Sequence, residues 1–226
     1  MIRDTRKAGH SLATIEQAGL SEYPGLAALA YIPPTSINAR IAVALKAQRS
    51  LIIRLLVRRP LRSRDVCDMK IDRNLRCANG RWTIEFRAEE RALGQVHGQP
   101  DIYRMPFPPD LVPQLEEFLA IWRPFLPGDD LPQLFMTRAG YPFTTPALNH
   151  EVSKAILKRT SGAINLPQIR QMWATEFLTR TQDYAAAAVM LGDTVETVLR
   201  RYAYLRWTDP GTLADKFSAR HMKPRS

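Results

Sequence analysis

The residues of this chain that could do chemistry are arginines in apolar settings and a tyrosine in the C-terminal third. Arg62 follows Pro60 and Leu61, Arg170 lies between Ile169 and the Met172-Trp173 pair, and Tyr202 follows Arg200 and Arg201. A guanidinium presents paired donors that fit two oxygens of a phosphate, and it keeps its charge at any biological pH. A phenol, with an ordinary pKa of about 10, becomes a useful nucleophile only in cationic surroundings. Other reactive sets are missing: there is no Gly-rich phosphate loop, no GxSxG and no HExxH. His10, His97, His150 and His221 are scattered, and Cys67 and Cys77 are the only cysteines. Neither a metal centre nor a disulfide framework is therefore expected.

Charge narrows the partners. The 226 residues carry 32 Lys and Arg against 22 Asp and Glu, a net charge of +10, which favours a polyanion, nucleic acid before a membrane surface. Apolar stretches such as Leu51 to Ile53 are interrupted by arginine within a few residues, far short of the ~20 residues that cross a bilayer. The first twenty residues hold no apolar stretch with a small-residue cleavage site, so a cytoplasmic, reducing location is expected.

The elements that must position these residues follow from periodicity. Residues 1–40 read as a loosely structured lead-in with one short helix. From Ile41 a helix runs with Leu45, Ile52, Leu55 and Leu56 on one face and Lys46, Arg49 and Arg54 off it, until Pro60 interrupts it. A further turn or two covers Leu61 to Met69. Trp82, Ile84 and Phe86 then alternate with polar residues behind an Ala78-Asn79-Gly80 turn signal, and Ile102 to Met105 supplies a second strand beyond a charged connection. Leu111, Leu115, Phe118, Leu119 and Trp122 mark the next helix, and Thr145 before Pro146 caps another. Ile169, Met172, Trp173 and Phe177 share a helix face. Asp183 opens a helix that ends at Gly192, and Thr194 opens one carrying Val195, Val198, Leu199 and Tyr202. The fold class is α+β and mostly helical, with helices flanking a small antiparallel β-sheet.

Four segments in this order resemble the tyrosine recombinases, or phage integrases. Leu61 to Met69 is similar to their LRxxEL segment, and Ile169 to Thr175 to LRHTFAT. Met190 to Asp193 is similar to LLGH, and Arg201 to Leu205 falls where the nucleophilic tyrosine sits. Arg170 to Asp193 spans 23 positions and Asp193 to Tyr202 spans nine, both as in that family. The resemblance covers 45–207, the expected catalytic domain, between a lead-in of 1–44 and a basic tail of 208–226. The lead-in is too short for the family's N-terminal core-binding domain, so a catalytic-domain-only version, or one whose other part is encoded separately, is expected.

The resemblance assigns Arg62 and Arg170 to a phosphate clamp and Tyr202 to attack on DNA, leaving a 3′-phosphotyrosyl link. That link conserves the bond energy, so no cofactor and no small-molecule substrate are implied. It implies duplex DNA as partner, homo-oligomers on DNA, association with the nucleoid, and roles such as integration or excision of mobile elements. Arg58, Arg59, Arg64, Arg87, Arg91 and Arg201 are the expected contacts to the DNA backbone.

The pattern is incomplete. Pro167 and Gln171 stand where the family carries histidines, and Asp193 replaces the histidine or tryptophan of LLGH. Asp193 after Gly192 reads first as a capping residue, with phosphate-site involvement second. The family's hairpin lysine has no counterpart between Trp82 and Met105, where Arg87, Arg91 and Arg104 stand instead. Two rivals follow: a catalytically decayed DNA-binding accessory protein of the same fold, and an unrelated basic RNA-binding protein.

Overall fold

A computed structural model describes residues 10–31, 36–90, 101–128 and 130–205. Helix α2 (Ile37–Arg58) is its axis, capped by the Ser36 side chain on Ala39 N and ended just before Pro60. It starts at Ile37, ahead of the expected Ile41. Ala44, Leu51, Ile52, Ile53 and Leu55 are all at most 1% exposed, so α2 is covered on more than the single face its periodicity shows.

The extra cover is α1 (Leu12–Glu22), whose Ile15 and Ala18 are buried against α2. Its carboxylates take the arginines that were expected to face away from the core. Glu16 pairs with Arg54 at 2.8 Å and Arg58 at 2.7 Å, and Glu22 pairs with Arg49 at 2.9 Å. The segment read as a loose lead-in therefore includes a packed helix, and a boundary at 44/45 falls inside α2.

Beyond Pro60 the short α3 (Ser63–Asp68) begins, with Asp65 Oδ2 accepting from Arg62 N at 3.4 Å. The sheet is antiparallel in the order β1 (Leu75–Ala78), β2 (Arg81–Arg87), β3 (Ile102–Pro106). Two strands were expected, and the sheet among the described residues has three. The four residues of β1 bury only Leu75, so they carry no alternation to read. The turn joining β1 to β2 places Asn79 at φ 52° and Gly80 at φ 70°, the left-handed pair a tight hairpin needs. Ile84, Phe86, Tyr103 and Met105 face the core.

The remaining helices are α4 (Val112–Glu117), prolonged by a π turn over Phe118–Trp122, then α5 (Thr145–Leu157), α6 (Leu166–Thr181), α7 (Tyr184–Leu191) and α8 (Val195–Tyr202). The cap of α5 is Thr144, one residue before the expected Thr145. Buried apolar residues fall into two clusters. The larger unites α1 to α5, the sheet and the first half of α6, through Ile169 and Met172. The smaller joins Ala174 and Leu178 of α6 to Ala187, Ala188 and Leu191 of α7, Val198 and Tyr202 of α8, and Leu205. Trp173 and Phe177, stacked at 4.8 Å, pack on this second cluster, so the face expected on α6 is divided between two cores.

Truncating Ile15, which is fully buried, to alanine should destabilise the protein by about 3 kcal/mol. Urea unfolding checks this. A loss below about 0.5 kcal/mol would make α1 an appendage after all.

Candidate active site

Arg62 and Arg170 reach one place from two elements. Arg62 lies in the extended link that Pro60 forces between α2 and α3. Arg170 lies early in α6, whose start is fixed by Asn165 and Gln168 in a reciprocal cap with Pro167 in the first turn. The target of both is the turn between α7 and α8. There Gly192, at φ 55°, ends α7 in the left-handed conformation, and Thr194 caps α8 by accepting from Thr197 N at 3.1 Å.

The Asp193 carboxylate sits between the guanidinium groups. Its Oδ1 accepts from Arg62 Nη2 at 2.9 Å and its Oδ2 from Arg170 Nη2 at 3.0 Å. Arg62 Nη2 also donates to Gly192 O at 3.1 Å, and Arg170 donates to the carbonyls of Leu191 and Pro60. Burial pulls the Arg170 guanidinium below its usual range and the Arg62 charge adds to that, while Asp193, Tyr103 and Asp65 oppose it. Asp193 is 8% exposed. Its backbone N–H closes the end of α7 on Ala188 O at 3.0 Å, as a cap beyond a left-handed glycine does, while its side chain is the counter-ion of two arginines.

Tyr202 is 3% exposed and stands on the second cluster, beside a cleft of about 260 Å³ lined by Pro167, Arg170, Gln171, Arg201 and Tyr202. Arg170 thereby borders both the carboxylate and the tyrosine. Burial pushes the Tyr202 phenol above its ordinary range. Arg201 and Arg170 pull the other way, and Tyr204 and Asp193 add to the rise. In this arrangement the phenol is neutral at pH 7. Pro167 and Gln171, at two positions where histidines were missed, border the same cleft.

The other expected DNA contacts divide. Arg58 is held inside the fold by Glu16 and by Asp110, the latter at 2.6 Å. Arg59 donates to Pro106 O and Arg58 O, both at 3.1 Å. These two are half-buried and tied to neighbouring elements by those bonds. Arg64 and Arg87 are exposed, Arg64 beside Asp68 one turn on, and Arg201 is exposed at the cleft. Arg91 and the tail at 208–226 lie outside the described residues. No cluster of three metal-ligating side chains occurs among the described residues, and no described helix is long and apolar enough to cross a membrane.

Tyr103 was read only as part of a strand. It points inward from β3 and its hydroxyl donates to Met190 O at 2.6 Å, fixing the same α7–α8 turn from the sheet. The available signal was its inward register, because a buried tyrosine hydroxyl needs a partner.

Replacing Arg170 by alanine leaves a buried carboxylate half paired and two backbone carbonyls without this donor, and should cost about 3 kcal/mol in urea unfolding. Arg170→Lys should recover less than half of that, since one ammonium cannot span three acceptors. Full recovery by lysine would contradict the fork geometry.

No family model and no curated protein matches this sequence. Among solved structures the chain is similar to the XerH site-specific recombinase bound to palindromic difH substrate in a post-cleavage complex. That match has a TM-score of 0.58 and 19% identity, and covers 92% of this chain and 50% of that one. It is similar as well to XerA recombinase, with a TM-score of 0.53, 15% identity, and 86% and 65% of the two chains covered. The Tn1549 transposon integrase in complex with transposon right end DNA gives a TM-score of 0.50, 13% identity, and coverage of 90% and 63%. This chain spans half the length of the XerH chain and under two thirds of the other two. At these identities the likeness is one of architecture, and this chain shares the fold of the tyrosine-recombinase catalytic domain.

Proposed function

We propose that the protein breaks and rejoins duplex DNA through Tyr202, acting as a site-specific recombinase or integrase. The observation that carries this reading is the meeting of Arg62 and Arg170 at one anion, with Tyr202 across the cleft that Arg170 borders. Attack by the Tyr202 oxygen on a scissile phosphate forms a 3′-phosphotyrosyl bond and releases a 5′ hydroxyl, and the reverse attack by a 5′ hydroxyl reseals the strand. Negative charge growing on the non-bridging oxygens is met by the two guanidinium groups. Arg201 and Arg170 are the cations that oppose the burial of the phenol. The reaction requires no cofactor, because the bond energy is kept in the phosphotyrosine. The proposed working unit is the recombinase-like region with α1 and the whole of α2, assembling as copies on DNA at the nucleoid.

A second reading, a DNA-binding accessory protein with catalysis lost, is favoured by specific positions. Pro167 and Gln171 border the cleft where the resemblance calls for histidines, and Asp193 already fills the arginine pair. Covalent trapping separates the two. The protein is incubated with supercoiled DNA carrying the region around its own gene, quenched with detergent, and examined for protein-linked nicks. Strand transfer predicts an adduct that Tyr202→Phe abolishes. Duplex binding without an adduct supports the accessory protein, and neither binding nor adduct would contradict both readings.

Exposed and fold-internal arginines should also separate. With six to ten phosphate contacts, duplex affinity should fall ~10³–10⁵-fold between 50 and 200 mM salt. Arg64→Ala and Arg87→Ala should each reduce the slope of log K against log salt by about one. Arg58→Ala should leave the slope alone and lower stability. Fluorescence anisotropy checks this, and a reduced slope for Arg58→Ala would overturn the assignment.

A further inference from the structure

The arginine pair is occupied by the chain itself. Asp193 gives one oxygen to each guanidinium, at 2.9 and 3.0 Å, which is how two non-bridging oxygens of a phosphate would be shared by two arginines. The site also holds more donors than Asp193 uses: Arg62 Nη1 is buried and has no hydrogen-bond partner among the described residues. A carboxylate has two oxygens to offer. A phosphodiester brings two non-bridging oxygens as well as bridging ones, and more room to meet an idle donor.

The carboxylate is separable from the turn that carries it. Three carbonyls in succession also anchor that turn: Met190 O to Tyr103, and Leu191 O and Gly192 O to the same Arg170 and Arg62 nitrogens that hold the carboxylate. The backbone of Asp193 is held by its own N–H on Ala188 O at 3.0 Å. The side chain can therefore leave the arginines without dissolving the turn.

We propose that Asp193 is a resident phosphate mimic, which a DNA phosphate must displace to enter the arginine pair. This rests on the reading that the pair is where the scissile phosphate sits. Its consequence is selectivity. A free phosphate has only the arginines to win and meets a carboxylate already seated there. A phosphate within a duplex arrives with the neighbouring backbone contacts, which supply the rest of the binding energy. The clamp thereby ignores phosphate metabolites and opens to DNA.

The test uses inorganic phosphate as the probe and the thermal midpoint of the full chain as the readout, against chloride of equal ionic strength. Wild type should be indifferent to phosphate. Asp193→Asn, left with two facing cations, should melt lower in chloride and be restored by phosphate, with an apparent affinity at least about tenfold above wild type. Adding Arg62→Gln to Asp193→Asn should remove that response. Equal responses of wild type and Asp193→Asn would overturn the proposal. So would a variant that folds in neither buffer, since the carboxylate would then be a brace that phosphate cannot replace. A Tyr202 adduct without the phosphate response would keep the strand-transfer reading and discard this inference, and the response without an adduct would do the reverse.

Discussion

Two guanidinium groups cannot be brought to one largely buried place without an anion between them. The interior lacks the water that screens like charges, and each cation loses its hydration on entering it. Arg62 and Arg170 are in that position, and much of the local structure answers to it. Pro60 ends α2 so that its carbonyl meets Arg170 and the next residues swing Arg62 inward. Gly192 turns the chain so that Asp193 enters between them. The same arginines take backbone carbonyls of the turn, so the anion site is also the seam between the two apolar clusters. That seam is polar, and it is reinforced from the sheet by Tyr103.

Tyr202 depends on this seam indirectly. It is packed in the smaller cluster, where burial disfavours its ionised form, and it faces a cleft whose cations favour it. Of those opposing influences burial prevails, and it holds the phenol above its ordinary range. The smaller cluster counts few residues beside the main core, and the α8 helix that carries Tyr202 is only eight residues long. Elements with so little apolar burial open at lower cost than the core they lean on.

Much of this was legible in the sequence where one local rule dominated. Gly192, Asp183 and Thr194 act as read, because a left-handed terminus and a side-chain cap are properties of two or three adjacent residues. The alternation of Trp82, Ile84 and Phe86 marked a strand for the same reason. What escaped reading depended on partners distant in the chain. The arginines of α2 look solvated in a helical pattern and turn out to be taken by Glu16 and Glu22 of α1. Asp193 reads as a cap, which its backbone is, but its side chain's partners Arg62 and Arg170 are distant in sequence. The four-residue β1 has too few inward positions to show a period. The resemblance singled out Arg62 and Arg170, but the sequence alone could not tell a guanidinium aimed at solvent, such as Arg64, from one tied to distant carboxylates, such as Arg58.

The most direct measurement is a crystal structure of the Tyr202→Phe protein with duplex DNA. The expected result is a backbone phosphate bonded to both Arg62 and Arg170, the substituted ring facing it across the cleft, and the Asp193 carboxylate turned out of the pair. Duplex bound on another face, with Arg62, Asp193 and Arg170 joined as they are without DNA, would contradict it.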